Sequence, residues 1–270
     1  MNKEILAQTP DTRITRLKVH APLIAKKALP GQFVVVMVSE AGERIPLTVV
    51  DKDKDKITLI VQEVGLSTKL LGKLNVGDSL YALVGPMGHP AEIKKYGKVI
   101  LVGGGVGIAE IYPVAKALKG KDNYIATILG AKTKALLILQ NELKAVSDEL
   151  VITTDDGSYG RRGFTTDALQ ELLGKNEYDL VYAVGPIPMM KKVSFIAKEF
   201  NIKTIVSLNA IMVDASCMCG SCRVRVKDEV KFSCVDGPEF DGHLVNWDEL
   251  EKRNNIYKDK EKRICKLYKL

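Results

Sequence analysis

Short runs of β-branched and apolar residues fill the first part of the chain, each bounded by Gly, Pro or Asp. The runs are GQFVVVMVS (31–39), PLTVVD (46–51), KITLIVQEV (56–64) and SLYALVGPM (79–87). They predict strands of a small antiparallel β-barrel or sandwich. One helical segment, STKLLGKL (67–74), interrupts them. From Lys98 the rhythm changes. KVILVGGGVG is a continuous apolar run entering a glycine turn, and IAEIYPVAKALKG has helical period. Strand-like NYIATILG, ELVITTDDG, YDLVYAVGP and IKTIVSLN then alternate with helix-like ALLILQNELKAV, TTDALQELLG and PMMKKVSFIAKEF. This alternation predicts a doubly wound parallel sheet with helices on both faces. The pattern divides the chain into an all-β part (1–96), an α/β part (97–210), a cysteine-bearing module (211–245) and a charged tail (246–270). No internal repeat is present.

Composition narrows the function classes. The 270 residues are 46% hydrophobic and 27% charged, ordinary values for a globular protein. No apolar run approaches the roughly 20 residues of a membrane span. The N-terminus lacks the charged-then-apolar order of a secretory signal, which predicts a cytoplasmic protein with no membrane partner. The net charge of +7 comes from lysines scattered among acids, as in DKDKDK (51–56) and KDKEKR (258–263). Without interleaved aromatic residues it predicts a solvated surface and no nucleic-acid partner.

Cytosolic thiols stay reduced, so clustered cysteines point to metal or redox chemistry. Cys219 and Cys222 form C-x2-C, and Cys234 follows after eleven intervening residues. Plant-type [2Fe–2S] sites use C-x4-C-x2-C plus a distant Cys. In that register Cys219, Cys222 and Cys234 fill three places, and Asp214 stands in the first. Cys217 lies off register. Two ligand sets follow: Asp214 as an oxygen ligand, or Cys217 swung in with Asp214 behind it. The spacing favours Asp214, because C-x-C bites too tightly. A structural zinc site is the alternative, although its second knuckle would be missing. Cys265 has no sequence partner.

VGGGVGIAE (102–110) joins a strand to a helix, as phosphate-binding turns do. Its spacing is not G-x-G-x-x-G, because Ile108 takes the last place. Lys132 and Lys134 stand where an acidic residue would close the second strand. TDDGSYG and VGPIPMM end two further parallel strands, the edge at which such sheets bind ligands.

The motifs ERIPLT, QEVGLST, GGGVGIAE, TDDGSYG, VGPIPMM, MCGSCR and CVDGPEFDGH resemble, in this order, those of the ferredoxin–NADP reductase superfamily. Within it the chain is similar to the electron-transfer subunits of dihydroorotate dehydrogenases and to the small subunits of electron-bifurcating NADH-dependent reduced ferredoxin:NADP+ oxidoreductases and sulfide dehydrogenases. The resemblance covers nearly all of residues 1–246. It implies FAD on the β-domain, held at Arg44, Pro46, Leu47 and Thr48 and at a second loop with Gln62, Val64, Gly65, Ser67 and Thr68. It implies NAD(H) on the sheet domain, near Gly103, Gly104, Gly107, Ile108, Asp155, Asp156, Gly185, Pro186 and Met189. Lys132 leaves NADP(H) open. It also implies a [2Fe–2S] cluster, with the dihydroorotate enzymes carrying Cys at the place of Asp214 and the bifurcating and sulfide enzymes carrying Asp. There the loop reads roughly Asp-Gly-Thr-Gly-Met-Cys-Gly, from which this chain departs at Ala215 and Cys217.

The expectation is therefore a flavo-iron–sulfur subunit without a catalytic side chain of its own. It would exchange hydride with NAD(H) and pass single electrons to or from a larger partner subunit carrying FAD and [4Fe–4S] clusters, and through that complex to ferredoxin. A dihydroorotate or polysulfide partner is the first alternative. A zinc-stabilised nucleotide-binding protein without turnover is the second.

Overall fold

The computed structural model describes residues 2–267. Strands β1 (Asn2–Gln8), β2 (Arg13–His20), β3 (Phe33–Met37), β4 (Arg44–Thr48), β5 (Asp51–Asp53), β6 (Lys56–Gln62) and β7 (Ala82–Met87) come first, with helices α1 (Pro22–Lys27) and α2 (Leu66–Lys73) between them. They form two antiparallel sheets, in orders β1-β2-β6-β5 and β4-β3-β7. Alternation sends Leu17 and Val19 of β2, Val34 and Val36 of β3, and Ile57 and Leu59 of β6 into one core. The apolar period did not announce β1. Asn2, Lys3 and Glu4 make it polar, and its register on β2 supplies the order instead.

The parallel sheet is built from β8 (Lys98–Gly104), β9 (Tyr124–Ala131), β10 (Glu149–Thr154), β11 (Arg161–Arg162), β12 (Leu180–Val184) and β13 (Lys203–Ser207). Helices α3 (Gly107–Lys119), α4 (Gln140–Val146), α5 (Thr165–Lys175) and α6 (Ile187–Glu199) connect them. Beyond these come the hairpin β14 (Arg223–Val226) and β15 (Glu229–Phe232), then β16 (Glu239–Asp241), α7 (Trp247–Asn254) and α8 (Lys258–Leu267). The sheet order is β11-β10-β9-β8-β12-β13-β16, all parallel except β16. The central strands are buried end to end, which explains their unbroken apolar sequence. The order reverses at β8, whose neighbours β9 and β12 lead away in opposite directions. Ligands bind at such a switch point, beyond the carboxyl ends of the strands.

The chain forms two compact units. One comprises residues 1–90, 209–238 and 246–270, and the other residues 91–208 and 239–245. The cysteine-bearing hairpin and α7 thus belong to the same unit as the antiparallel sheets.

Glu63 is the buried acid of the antiparallel unit. Arg13 donates to both its oxygens at 2.7 Å, and the Thr15 hydroxyl donates at 2.6 Å. Burial pushes its carboxyl up, but these donors outweigh that and leave it below the ordinary value. Lys3 donates to the carbonyls of Gly72 and Leu74, tying the end of α2 to the same network. A β-carbon at Gly72 would overlap the Glu63 carboxylate. We therefore expect Gly72→Ala to lower stability by roughly 1–3 kcal/mol, measured by urea denaturation.

Candidate functional site

In β4, residues 44, 46 and 48 share one face by the strand's two-residue period. Ile45 and Leu47 point the other way, packed on the core. Arg44 and Thr48 are thus presented together, while Leu47 can meet a ligand through its backbone only. The second loop is organised by Thr68. Its hydroxyl accepts from the N–H groups of Val64 (3.0 Å) and Gly65 (2.9 Å) and donates to the Gly65 carbonyl. The Val64 and Gly65 amides are therefore consumed in capping α2. The first-turn amides of α2 are the ones available to an anion. Ser67 donates to Glu43 at 2.8 Å, bringing this loop beside Arg44. Gln62 closes β6, half-buried, and the Val64 side chain is exposed. An exposed guanidinium beside a helix N-terminus is a donor set that fits a dinucleotide diphosphate.

On the sheet unit, the predicted glycines have distinct roles. A β-carbon at Gly103 would lie 2.8 Å from Ile111 Cδ1. At Gly104 it would overlap Met189 Sδ, and at Gly107 the Val184 carbonyl oxygen. These positions let α3 close onto the ends of β8 and β12. Ile108 is fully buried, so its side chain serves the core. The residue missed from the sequence is Gly105. It has φ +59°, and a β-carbon there would meet nothing within 4 Å. Its N–H donates to the Gly130 carbonyl at 2.9 Å, which fixes the turn. Met189 packs along Gly104 and Gly185, and Pro186 is exposed beside them. Asp156 spends its carboxylate on Ser158, accepting from the N–H at 2.9 Å and the hydroxyl at 2.6 Å. These bonds hold it below the ordinary carboxylate value. Asp155 is the exposed acid left at the end of β10. Thr133, also unforeseen, carries a buried hydroxyl with no partner among the described residues. The open turn and this orphan hydroxyl fit a nucleotide.

The cysteine loop brings two of its thiols together. Cys222 and Cys234 are both buried, with sulfurs 3.2 Å apart. Asp214 accepts from the Ser216 N–H (2.7 Å) and hydroxyl (3.0 Å), and these bonds hold its carboxyl below the ordinary value. Among the described residues no three His, Cys, Asp or Glu converge on one point. A two-iron cluster takes two protein ligands on each iron, and Cys222 and Cys234 stand as one such pair. Ser221 donors pull the exposed Cys219 thiol below its ordinary value. Burial, with Cys222 alongside, pushes Cys234 up to about 12. The Cys217 backbone reaches Cys234 while its thiol is exposed. Ser233, wholly buried between Phe232 and Cys234, has a hydroxyl with no partner among the described residues. Three thiols, a carboxylate and this orphan donor fit a cluster with bridging sulfides. Ala215 (φ 60°), Cys217 (φ 73°) and Gly220 (φ 64°) are all left-handed, a conformation that favours glycine.

Known proteins resemble the chain over both regions. Residues 209–246 match the iron–sulfur cluster binding domain of dihydroorotate dehydrogenase B, and residues 101–194 match the oxidoreductase NAD-binding domain. The chain is 51% identical over 246 residues to a dihydroorotate dehydrogenase B (NAD(+)) electron transfer subunit homolog of Thermotoga maritima, covering 90% of this chain and 87% of that one. It is 37% identical to the dihydroorotate dehydrogenase B electron transfer subunit of Caldanaerobacter subterraneus subsp. tengcongensis, covering 80% and 86%. A solved structure described under flavin-based electron bifurcation in the NADH-dependent reduced ferredoxin-NADP oxidoreductase superposes with TM-score 0.93 at 47% identity, covering 100% of this chain and 96% of that one. No helix among the described residues is long and apolar enough to cross a membrane.

Glu239 in β16 lies within CVDGPEFDGH, a motif that assigns it no role. Burial holds its carboxyl up at about 7, against the pull of the Tyr182 hydroxyl, which donates to it at 2.7 Å. An unfolded carboxyl releases its proton near 4.5. Stability therefore falls as pH rises from 4.5 through 7, by roughly 3 kcal/mol. Glu239→Gln should flatten that slope in urea midpoints taken between pH 5 and 7.5, and an unchanged slope would assign it to other groups.

Proposed function

The chain belongs to the family of dihydroorotate dehydrogenase B electron-transfer subunits, and from that premise we propose that it is the small subunit of an electron-bifurcating NADH-dependent ferredoxin:NADP+ oxidoreductase. It is a flavo-iron–sulfur electron-transfer subunit, and such a subunit works with a larger partner. In our reading that partner carries FAD and [4Fe–4S] clusters, reacts with NADP(H) and ferredoxin, and shares the cytoplasm with this chain.

When bound, NAD(H), FAD and a [2Fe–2S] cluster supply hydride exchange and single-electron transfer. The residues bind and orient these groups. Arg44 and the first-turn amides of α2, with Ser67 and Thr68, take the FAD diphosphate, and Pro46 and Thr48 line the flavin side with Gln62. Gly104, Gly105 and Gly107 admit the NAD diphosphate to the α3 N-terminus, with Gly103 and Ile108 packed beneath. Gly185, Pro186 and Met189 flank the nicotinamide, and Asp155 offers a carboxylate to ribose hydroxyls. Asp214, Cys219, Cys222 and Cys234 would hold the cluster. No side chain is assigned a proton-transfer role.

The observation that carries the reading is the buried Cys222–Cys234 pair in a loop whose register puts an aspartate, Asp214, in place of a fourth thiol. The resemblance puts Cys at that position in the dihydroorotate enzymes and Asp in the bifurcating and sulfide enzymes, so Asp214 favours a partner of the latter two kinds over a dihydroorotate one.

Low-temperature EPR of the anaerobically purified, dithionite-reduced chain, with FAD, iron and sulfide assayed on the same sample, tests it. A rhombic [2Fe–2S] signal with FAD present is expected. A silent spectrum with bound zinc and no flavin would sink the redox reading. Asp214→Cys should keep the cluster and change its midpoint potential, whereas an unchanged potential would exclude Asp214 as ligand. Gly107→Ala should raise KM for NADH at least tenfold in ferricyanide reduction and leave FAD content unchanged.

A further inference from the structure

Two arginines bind the carbonyl groups inside the C-x2-C knuckle. Arg223 Nη1 donates to the Gly220 carbonyl at 3.1 Å, and Arg253 Nη2 donates to the Ser221 carbonyl at 3.0 Å. These are the two residues between Cys219 and Cys222. Neither guanidinium is paired with a carboxylate among the described residues. Both line a cavity of about 210 Å³ with Cys219, Ser221 and Tyr257.

Arg253 comes from α7, beyond the residues matched by the cluster-binding family. The helix is anchored independently of the knuckle. Asn246 caps it, accepting from the Glu249 N–H at 3.0 Å, and its own N–H donates to the Arg225 carbonyl at 2.8 Å. Glu249 pairs with Arg225 at 2.8 Å, and Trp247 and Leu250 are buried. At the far end Asn254 donates to the Asn209 carbonyl at 2.9 Å. Helix α7 thus holds β14 at its start, and the knuckle and the entry to the cysteine segment at its end.

A trans peptide points its N–H opposite its C=O. A cation fixed on the Gly220 carbonyl therefore turns the Ser221 N–H the other way, and that N–H lies 3.5 Å from Cys219 Sγ. The Arg253 bond does the same for the Cys222 N–H. A carbonyl polarised by a cation also makes its N–H a stronger donor. Arginine stays charged at any working pH, and reduction adds negative charge to a cluster held here.

We propose that Arg223 and Arg253 are positioning residues of the iron–sulfur site. They lock the knuckle with its amides toward the ligating sulfurs and favour the reduced cluster by their charge. The charged C-terminal segment is thereby part of the redox site. This rests on Cys219 and Cys222 being cluster ligands.

The test uses the full-length chain, anaerobically purified, as wild type, Arg253→Gln, Arg253→Lys, Arg223→Gln and, as a charge control on the same helix, Lys252→Gln. Iron, sulfide and FAD content, EPR g-values and the reduced fraction at a fixed solution potential are read. Arg253→Gln and Arg223→Gln should keep FAD, shift the g-values and lower the ratio of reduced to oxidised cluster roughly tenfold, the scale of one partly screened charge. Arg253→Lys should shift the g-values with a ratio nearer wild type, and Lys252→Gln should change neither. Should Arg253→Gln fail to fold, Arg253→Lys and Arg223→Gln decide by the same readouts. Wild-type g-values and ratios in these variants overturn the clamp while leaving the cluster assignment intact. Absence of a [2Fe–2S] signal from the wild-type chain overturns the cluster assignment instead.

Discussion

At Gly107 the first turn of α3 lies so close to the end of β12 that a methyl carbon there would overlap the Val184 carbonyl oxygen. That approach is the constraint on which the sheet unit's binding edge depends. It brings a helix N-terminus to the point where the strand order reverses, so donor amides stand at the one edge where the sheet opens. Gly103, Gly104 and Gly185 serve the same closure, with Ile111 and Met189 filling the space that side chains would have taken. Gly105 differs, since it turns the chain with positive φ and leaves open space. The four glycines of this loop are thus of two kinds: packing sets Gly103, Gly104 and Gly107, and the turn sets Gly105.

The antiparallel unit solves a related problem by polar means. Glu63 would be costly to bury alone, and Arg13 and Thr15 make it tolerable by satisfying both oxygens. The absent side chain of Gly72 makes room for it, which couples α2 to β2 and β6. The end of α2 is thus held by Lys3 and Arg13 through its carbonyls, and its beginning by the Thr68 hydroxyl. The flavin loop inherits a defined geometry from both.

In the cysteine loop, backbone conformation and thiol chemistry are tied together. Three left-handed residues let the segment wrap closely, and two of them, Ala215 and Cys217, are not glycine. Glycine at either position would meet the same backbone demand without the steric cost. The two thiol environments differ as well. Cys219 is exposed among donors, while Cys222 and Cys234 share a dry pocket. A cluster held across them would have one wet side and one dry side.

The sequence alone determined the period and therefore the classes of element. Unbroken apolar runs from Lys98 onward announced a buried parallel sheet, and the C-x2-C spacing with Asp214 in register announced the metal chemistry. Residue type carried this information, because burial on both strand faces and thiolate ligation each demand particular side chains within a few positions. The tertiary structure decided what depends on distant neighbours. It paired polar β1 with β2, added β16 to the sheet edge, and separated Asp155 from Asp156 by what each carboxylate already binds. It turned Leu47 and Ile108 into the core. It brought Glu63, Thr133, Ser233 and Arg253 into play, to none of which the local motifs assign a role. Each of these acts through a hydrogen bond or a burial set by residues far away in the chain, and period or spacing, being local quantities, contain no record of such meetings.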